Sequence, residues 1–128
     1  MGIKLHPKLG TTDLEWFESA VNEAKRDAVG FWEIVKQGRY GYCLQGRELD
    51  EFVRDYILHL LTAGAVPVEG VRMEQYAVWR HTVRYGEIPV EITNMLIMEW
   101  KNLGTDPDVG GVWFAVPRSS IDYLEHDN

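Results

Sequence analysis

"GYCLQGRE", residues 41–48, decides between two folds. Gly41 and Gly46 have the spacing of the phosphate-binding pattern G-x-x-x-x-G-K-[ST], with Arg47 in place of the lysine and Glu48 in place of the hydroxyl. A phosphate loop follows a β-strand, and its glycines free backbone amides to wrap the anion. Here helical periodicity precedes the stretch, and the interior is bulky: Tyr42, Cys43, Leu44 and Gln45. Glu48 suits the first turn of a helix but repels a phosphate at the same place. Arg47 has no hydroxyl-bearing neighbour to hold magnesium. The stretch reads as a turn between two helices, with Gly41 and Gly46 permitting it and Tyr40, Tyr42 and Leu44 packed beneath the hairpin.

Upstream, "TDLE" at 12–15 is a capping box, in which Thr12 and Glu15 satisfy each other's amides. Leu14, Phe17, Val21, Ala24, Ala28, Phe31 and Val35 then recur at spacings of three and four, predicting a helix to about Gln37. Gly30 weakens its middle by about 1 kcal/mol relative to alanine, which allows a kink or break there. Gly38 stands where a glycine C-cap belongs. Downstream, Leu49, Phe52, Val53, Tyr56, Ile57, Leu60 and Leu61 form a second stripe, closed by Gly64 and Pro67.

Residues 71–85 fit two patterns. Met73, Tyr76, Ala77, Arg80 and Val83 predict a helix, while Val71, Val78, Val83 and the aromatics suit a strand; the helix is the preferred expectation. Pro89 opens a further helix with Ile92, Leu96, Trp100 and Leu103 buried, and Gly104 ends it. "TDPDVGG" at 105–111 is turn chemistry. "VWFAV" at 112–116 is the clearest strand, with residues near 65–69 or the N-terminal arm as its partner. The expected fold is mostly α (α+β): about four helices and a small C-terminal β element in one domain, 1–128, with an arm at 1–11 and a flexible tail at 118–128.

The chain has 128 residues, 45% hydrophobic and 26% charged, enough for a core without disulfides or metals. Its net charge of -7 argues against nucleic acid, which needs a basic face, and against an anionic membrane surface. A basic protein partner suits it. No run reaches 18 apolar residues, and "MGIKLHPKLG" lacks the apolar core of a secretory signal, so the expected compartment is the cytoplasm. Cys43 is the only cysteine, which excludes an intramolecular disulfide and a cysteine-rich zinc site.

No strong catalytic or metal motif occurs. His6, His59, His81 and His126 show no i, i+4 pair, and His59 reads as a partly buried, hydrogen-bonded histidine. "DPDVGG" starts like a calcium loop but has Gly110 at the third ligand position and Pro117 where the bidentate glutamate belongs. The expectation is no enzyme, no cofactor and no metal. Glu48, Glu51 and Asp55 share a face of the second helix and form a candidate surface for a basic partner, which Asp106 and Asp108 could extend. Trp113 and Phe114 point to opposite faces of their strand, and Trp113 is a candidate anchor. One alternative is a small-ligand site or enzyme around Tyr40, Cys43 and His59. Another is a homodimeric scaffold that buries surplus aromatics against a second copy.

"FWEIVKQGRYGYCLQGRELDEFVRDYILHLLTAGAVPV" and "DPDVGGVWFAVP" resemble a family of small bacterial domains of unknown function, in which a "GYxxxGR" turn opens a helix. Gly41, Tyr42, Gly46, Arg47 and Gly64 carry the likeness. In general character the chain is also similar to bacterial toxin-immunity proteins: small, acidic and without catalytic motifs. That likeness implies a cytoplasmic, non-enzymatic module that neutralises a basic, nuclease-type toxin.

Overall fold

The computed structural model describes residues 10, 12–72, 77–117 and 123–124. The remainder of the arm and the tail, with Met73 and Tyr76, lies outside the described residues. The capping box closes as written: Glu15 N–H donates to Thr12 Oγ1 at 3.0 Å, and Thr12 N–H donates to Glu15 Oε1 at 2.8 Å. The bond from the Thr12 backbone holds the Glu15 carboxyl below its ordinary value. Helix α1 runs Asp13–Arg26 and buries Phe17, Ala20, Val21 and Ala24. Leu14, expected in that stripe, is exposed.

The first helix stops well short of Gln37. Strand β1, Val29–Gly30, pairs antiparallel with Phe114 and Trp113, so sheet pairing overrides the helical spacing at the glycine that weakened it. Helix α2, Phe31–Lys36, restarts with the Glu33 carboxylate accepting the Gly30 N–H at 2.9 Å. It passes into a π-helical turn, Gln37–Gly41, so Gly38 is inside this turn and not a cap. Gly38 is buried there against Leu49 and Phe52, which an added Cβ would meet at 2.7 Å. Tyr42 is buried and Leu44 packs on the core, but Tyr40 points outward with 70% of its surface exposed.

Helix α3, Gly46–Thr62, buries all seven residues of the second stripe. It packs against both α1 and helix α4, Pro89–Leu103. Pro89 lies in the first turn of α4 and Gly104 ends it at φ +74°. Leu103, expected to be buried, is exposed.

Residues 71–85 do not form the expected helix. Strand β2, Val66–Arg72, and strand β3, Ala77–His81, make an antiparallel hairpin with Gly70 opposite Trp79 and Val71 opposite Val78. Cross-strand pairing of β-branched and aromatic residues outweighs a weak helical spacing. Strand β4, Trp113–Ala115, lies between β1 and β2, with Val68 opposite Trp113. Strand β5, Tyr123–Leu124, adds to β3 in parallel, so this part of the expected flexible tail belongs to the sheet. The order is β1-β4-β2-β3-β5. The protein is therefore mostly helical α+β. Among the described residues, Phe52 and Phe114 are the largest fully buried side chains, within one core drawn from α1 to α4, β1 and β4.

Candidate functional site

Two surfaces stand out, and the first is the outward side of α3. Glu48 is exposed, and Glu51 and Asp55 are half-buried, one or two turns further along the helix. Several cations and polar groups nearby serve the fold. The Arg54 guanidinium donates to Asn94 Oδ1 at 2.5 Å, and the Lys101 ammonium meets Asp50 at 2.9 Å. Both contacts bind α3 to α4.

Asp106 and Asp108 lie in the loop after α4, where each already holds part of the structure. Arg39 Nε and Nη2 donate to the two Asp106 oxygens, both at 2.9 Å, and the Trp100 indole N–H donates to Oδ1 at 3.1 Å. Partial burial pushes the Asp106 carboxyl up. The bonds from Arg39 and Trp100, with the Arg39 and Lys101 charges, outweigh that effect and hold it below its ordinary value. Asp108 Oδ1 accepts the Gly110 N–H at 2.9 Å and shapes the turn into β4. Trp113 donates its indole N–H to the Val109 carbonyl at 3.0 Å. Its ring stands between Trp32, centroids 6.4 Å apart, and Trp79, centroids 5.2 Å apart. Trp113 is thus the middle of a row of three tryptophans, while Phe114 faces the core.

The pocket expected around Tyr40, Cys43 and His59 has a different lining. Cys43 is exposed, with φ +59°. His59 Nε2 lies 2.6 Å from the Glu18 carboxylate and joins α3 to α1, the hydrogen-bonded role expected of it. Tyr40 instead borders a cleft of about 540 Å³ between α1, α2 with its π-turn, and Tyr56 of α3. Its aromatic walls are Trp16, Trp32, Tyr40 and Tyr56. The polar lining includes Glu23, Glu33, Lys36 and Gln37.

Local structure aims these groups. Trp32, Lys36 and Tyr40 follow at spacings of four along α2 and the π-turn, and Trp16, Ser19, Ala20 and Glu23 follow at three and four along α1. The π-turn changes the pitch, as such turns often do at functional sites. A Cβ at Gly41 would displace only the end of the Gln37 side chain. Tyr56 is hydrogen-bonded to Trp16, and burial raises its hydroxyl pKa strongly, so it stays neutral. The Lys36 ammonium stands 5.6 Å from the Trp32 ring centroid. No local pattern in the sequence joins Trp16 to Trp32. The missing signal was their separate four-residue rows, which meet only once the long helix breaks at Gly30.

Among the described residues no three His, Cys, Asp or Glu side chains converge as a metal ion requires. No helix among them is long and apolar enough to cross a membrane. No protein-family model, curated protein or solved structure matches the chain.

Proposed function

We propose that this protein is a non-enzymatic protein-binding module, specifically a cytoplasmic immunity protein that neutralises a basic, nuclease-type toxin. The observation that carries the reading is the outward side of α3, where Glu48, Glu51 and Asp55 recur while Arg54 and Lys101 are tied into the α3–α4 contact. With a net charge of -7, such a face accelerates encounter with a cationic partner and occludes its active site.

The test is capture from host lysate at low salt, wild type beside the Glu48→Lys/Glu51→Lys/Asp55→Lys variant, followed by association rates with the captured protein. The expected result is one basic protein retained by the wild type and lost by the variant, with an association rate that falls steeply as salt rises. Equal retention by both proteins, or a rate indifferent to salt, overturns the reading.

A second reading has its own observation. Val90, Met95, Met98 and Leu103 of α4 are all exposed, which suits burial against a second copy. Light scattering over a dilution series separates a homodimer from a monomer.

A further inference from the structure

We infer that the cleft between α1 and α2 is a binding site for an organic cation, an alkylated ammonium or guanidinium group. This inference is independent of the acidic face of α3. Four electron-rich rings, Trp16, Trp32, Tyr40 and Tyr56, border one cavity, and two carboxylates, Glu23 and Glu33, share its lining. Faces of tryptophan and tyrosine attract a cation through the ring quadrupole, and aromatic walls with a nearby carboxylate are the usual solution for a cation too large or too alkylated to be hydrogen-bonded on all sides.

The carboxylates are held in place with capacity to spare. Glu33 uses one oxygen to accept the Gly30 N–H, and Glu23 uses one for Arg26 at 2.7 Å. The second oxygen of each can still face a positive ligand. At about 540 Å³ the cavity has room for the substituents that such a cation carries.

The protein already supplies an example of the contact. The ammonium of Lys36 lies 5.6 Å from the Trp32 centroid, within the range of a cation–π interaction. Among the described residues that line the cleft, Lys36 is the one cation. An arriving cation competes with it for the same ring, and removing its charge strengthens binding. A residue that merely holds the cleft open would have the opposite effect when replaced.

The experiment titrates the intact protein with choline and, separately, with its uncharged carbon isostere 3,3-dimethyl-1-butanol, following the five tryptophan indole N–H signals by NMR. Choline is expected to shift the Trp16 and Trp32 signals while Trp100 stays fixed, and the isostere to bind at least tenfold more weakly. Glu23→Gln/Glu33→Gln, whose amides preserve the Gly30 hydrogen bond, should weaken choline about tenfold. Lys36→Gln should tighten it several-fold. N-acetylarginine amide, run beside choline, separates the sources: tighter binding of choline assigns a free quaternary ammonium compound, and tighter binding of the arginine amide assigns a side chain of a partner. Equal affinity for choline and its isostere, no shift at either tryptophan with any cation, or weaker binding by Lys36→Gln overturns the inference.

Discussion

Arg39 and Asp106, 67 positions apart, form a two-pronged ion pair that fastens the π-turn to the loop after α4. Trp100 donates to the same carboxylate, so one acidic group joins the wall of the aromatic cleft to the end of α4. Bidentate arginine pairs fix direction as well as distance, which a lysine could not do here.

That geometry gives Asp106 a pH signature. Its carboxyl is held below the ordinary aspartate value, so its stabilisation is complete above the unfolded pKa of about 3.9 and is lost as pH falls through the lower folded value. The side chain is 39% exposed and screened by solvent, so the contribution is about 1 kcal/mol. Thermal melts of the wild type and Asp106→Asn should differ at pH 7, and the difference should begin to shrink only as pH falls below about 3.9. A difference that stays constant as the pH is lowered through the acid range would show that the carboxylate charge is irrelevant.

Cys43 is expected to be open to reagents in the folded protein. It stands on the turn outside the cleft, with Sγ at 3.9 Å from the Tyr40 carbonyl. A thiol reagent should label it completely in the folded protein, and Cys43→Ser should change stability by less than about 0.5 kcal/mol. Protection from labelling until the protein unfolds would contradict the exposed position.

The helices of this fold were largely legible because their signals are local. Thr12 and Glu15 cap α1, Pro89 and Gly104 bound α4, and Leu49 through Leu61 fill one side of α3, each readable within a few residues. The sheet was only half legible. The strand at Trp113–Ala115 was legible and its pairing to Val66–Val68 was one of two partners the sequence allowed, whereas β1 pairs with residues 83 and 85 positions away and β3 with residues 5 to 13 positions away. Val29–Gly30 is a strand because Trp113 and Phe114 lie beside it, and nothing within the "AVGFW" segment announces that. The cleft was hidden for the same reason, since Trp16 and Trp32 share a wall only after the chain turns at Gly30. The outward carboxylates of α3 needed no tertiary information, and helical spacing alone placed Glu48, Glu51 and Asp55 on one side.

The capping box should be worth its usual amount. Thr12→Ala removes the acceptor for the Glu15 N–H and is expected to cost about 1 kcal/mol in denaturant unfolding, with the slope unchanged. Thr12→Ser keeps the acceptor and should lie close to the wild type. Equal losses in both variants would point to the threonine methyl and away from the cap.

Two glycines, each changed to alanine, should shift stability in opposite directions. Gly38 is buried in the π-turn, and a Cβ there would come within 2.7 Å of Leu49 Cδ1 and Phe52 Cδ2. Phe52 is part of a packed ring cluster with Phe17, Tyr42 and Tyr56, so it has little space in which to retreat. Gly38→Ala is therefore expected to destabilise by about 1–3 kcal/mol, the range for overpacked cores. Gly70 lies exposed in β2 opposite Trp79, and its Cβ would find the ring at 3.7 Å, an ordinary contact. Its backbone is not in the left-handed region, so alanine restricts the unfolded chain without straining the strand. Gly70→Ala should stabilise by about 0.4–1 kcal/mol. Urea unfolding of the two variants beside the wild type measures both. If Gly70→Ala is destabilising, the hairpin register that places residue 70 against Trp79 is wrong; if Gly38→Ala is neutral, α3 does not press on the π-turn as closely as the packing of Phe52 requires.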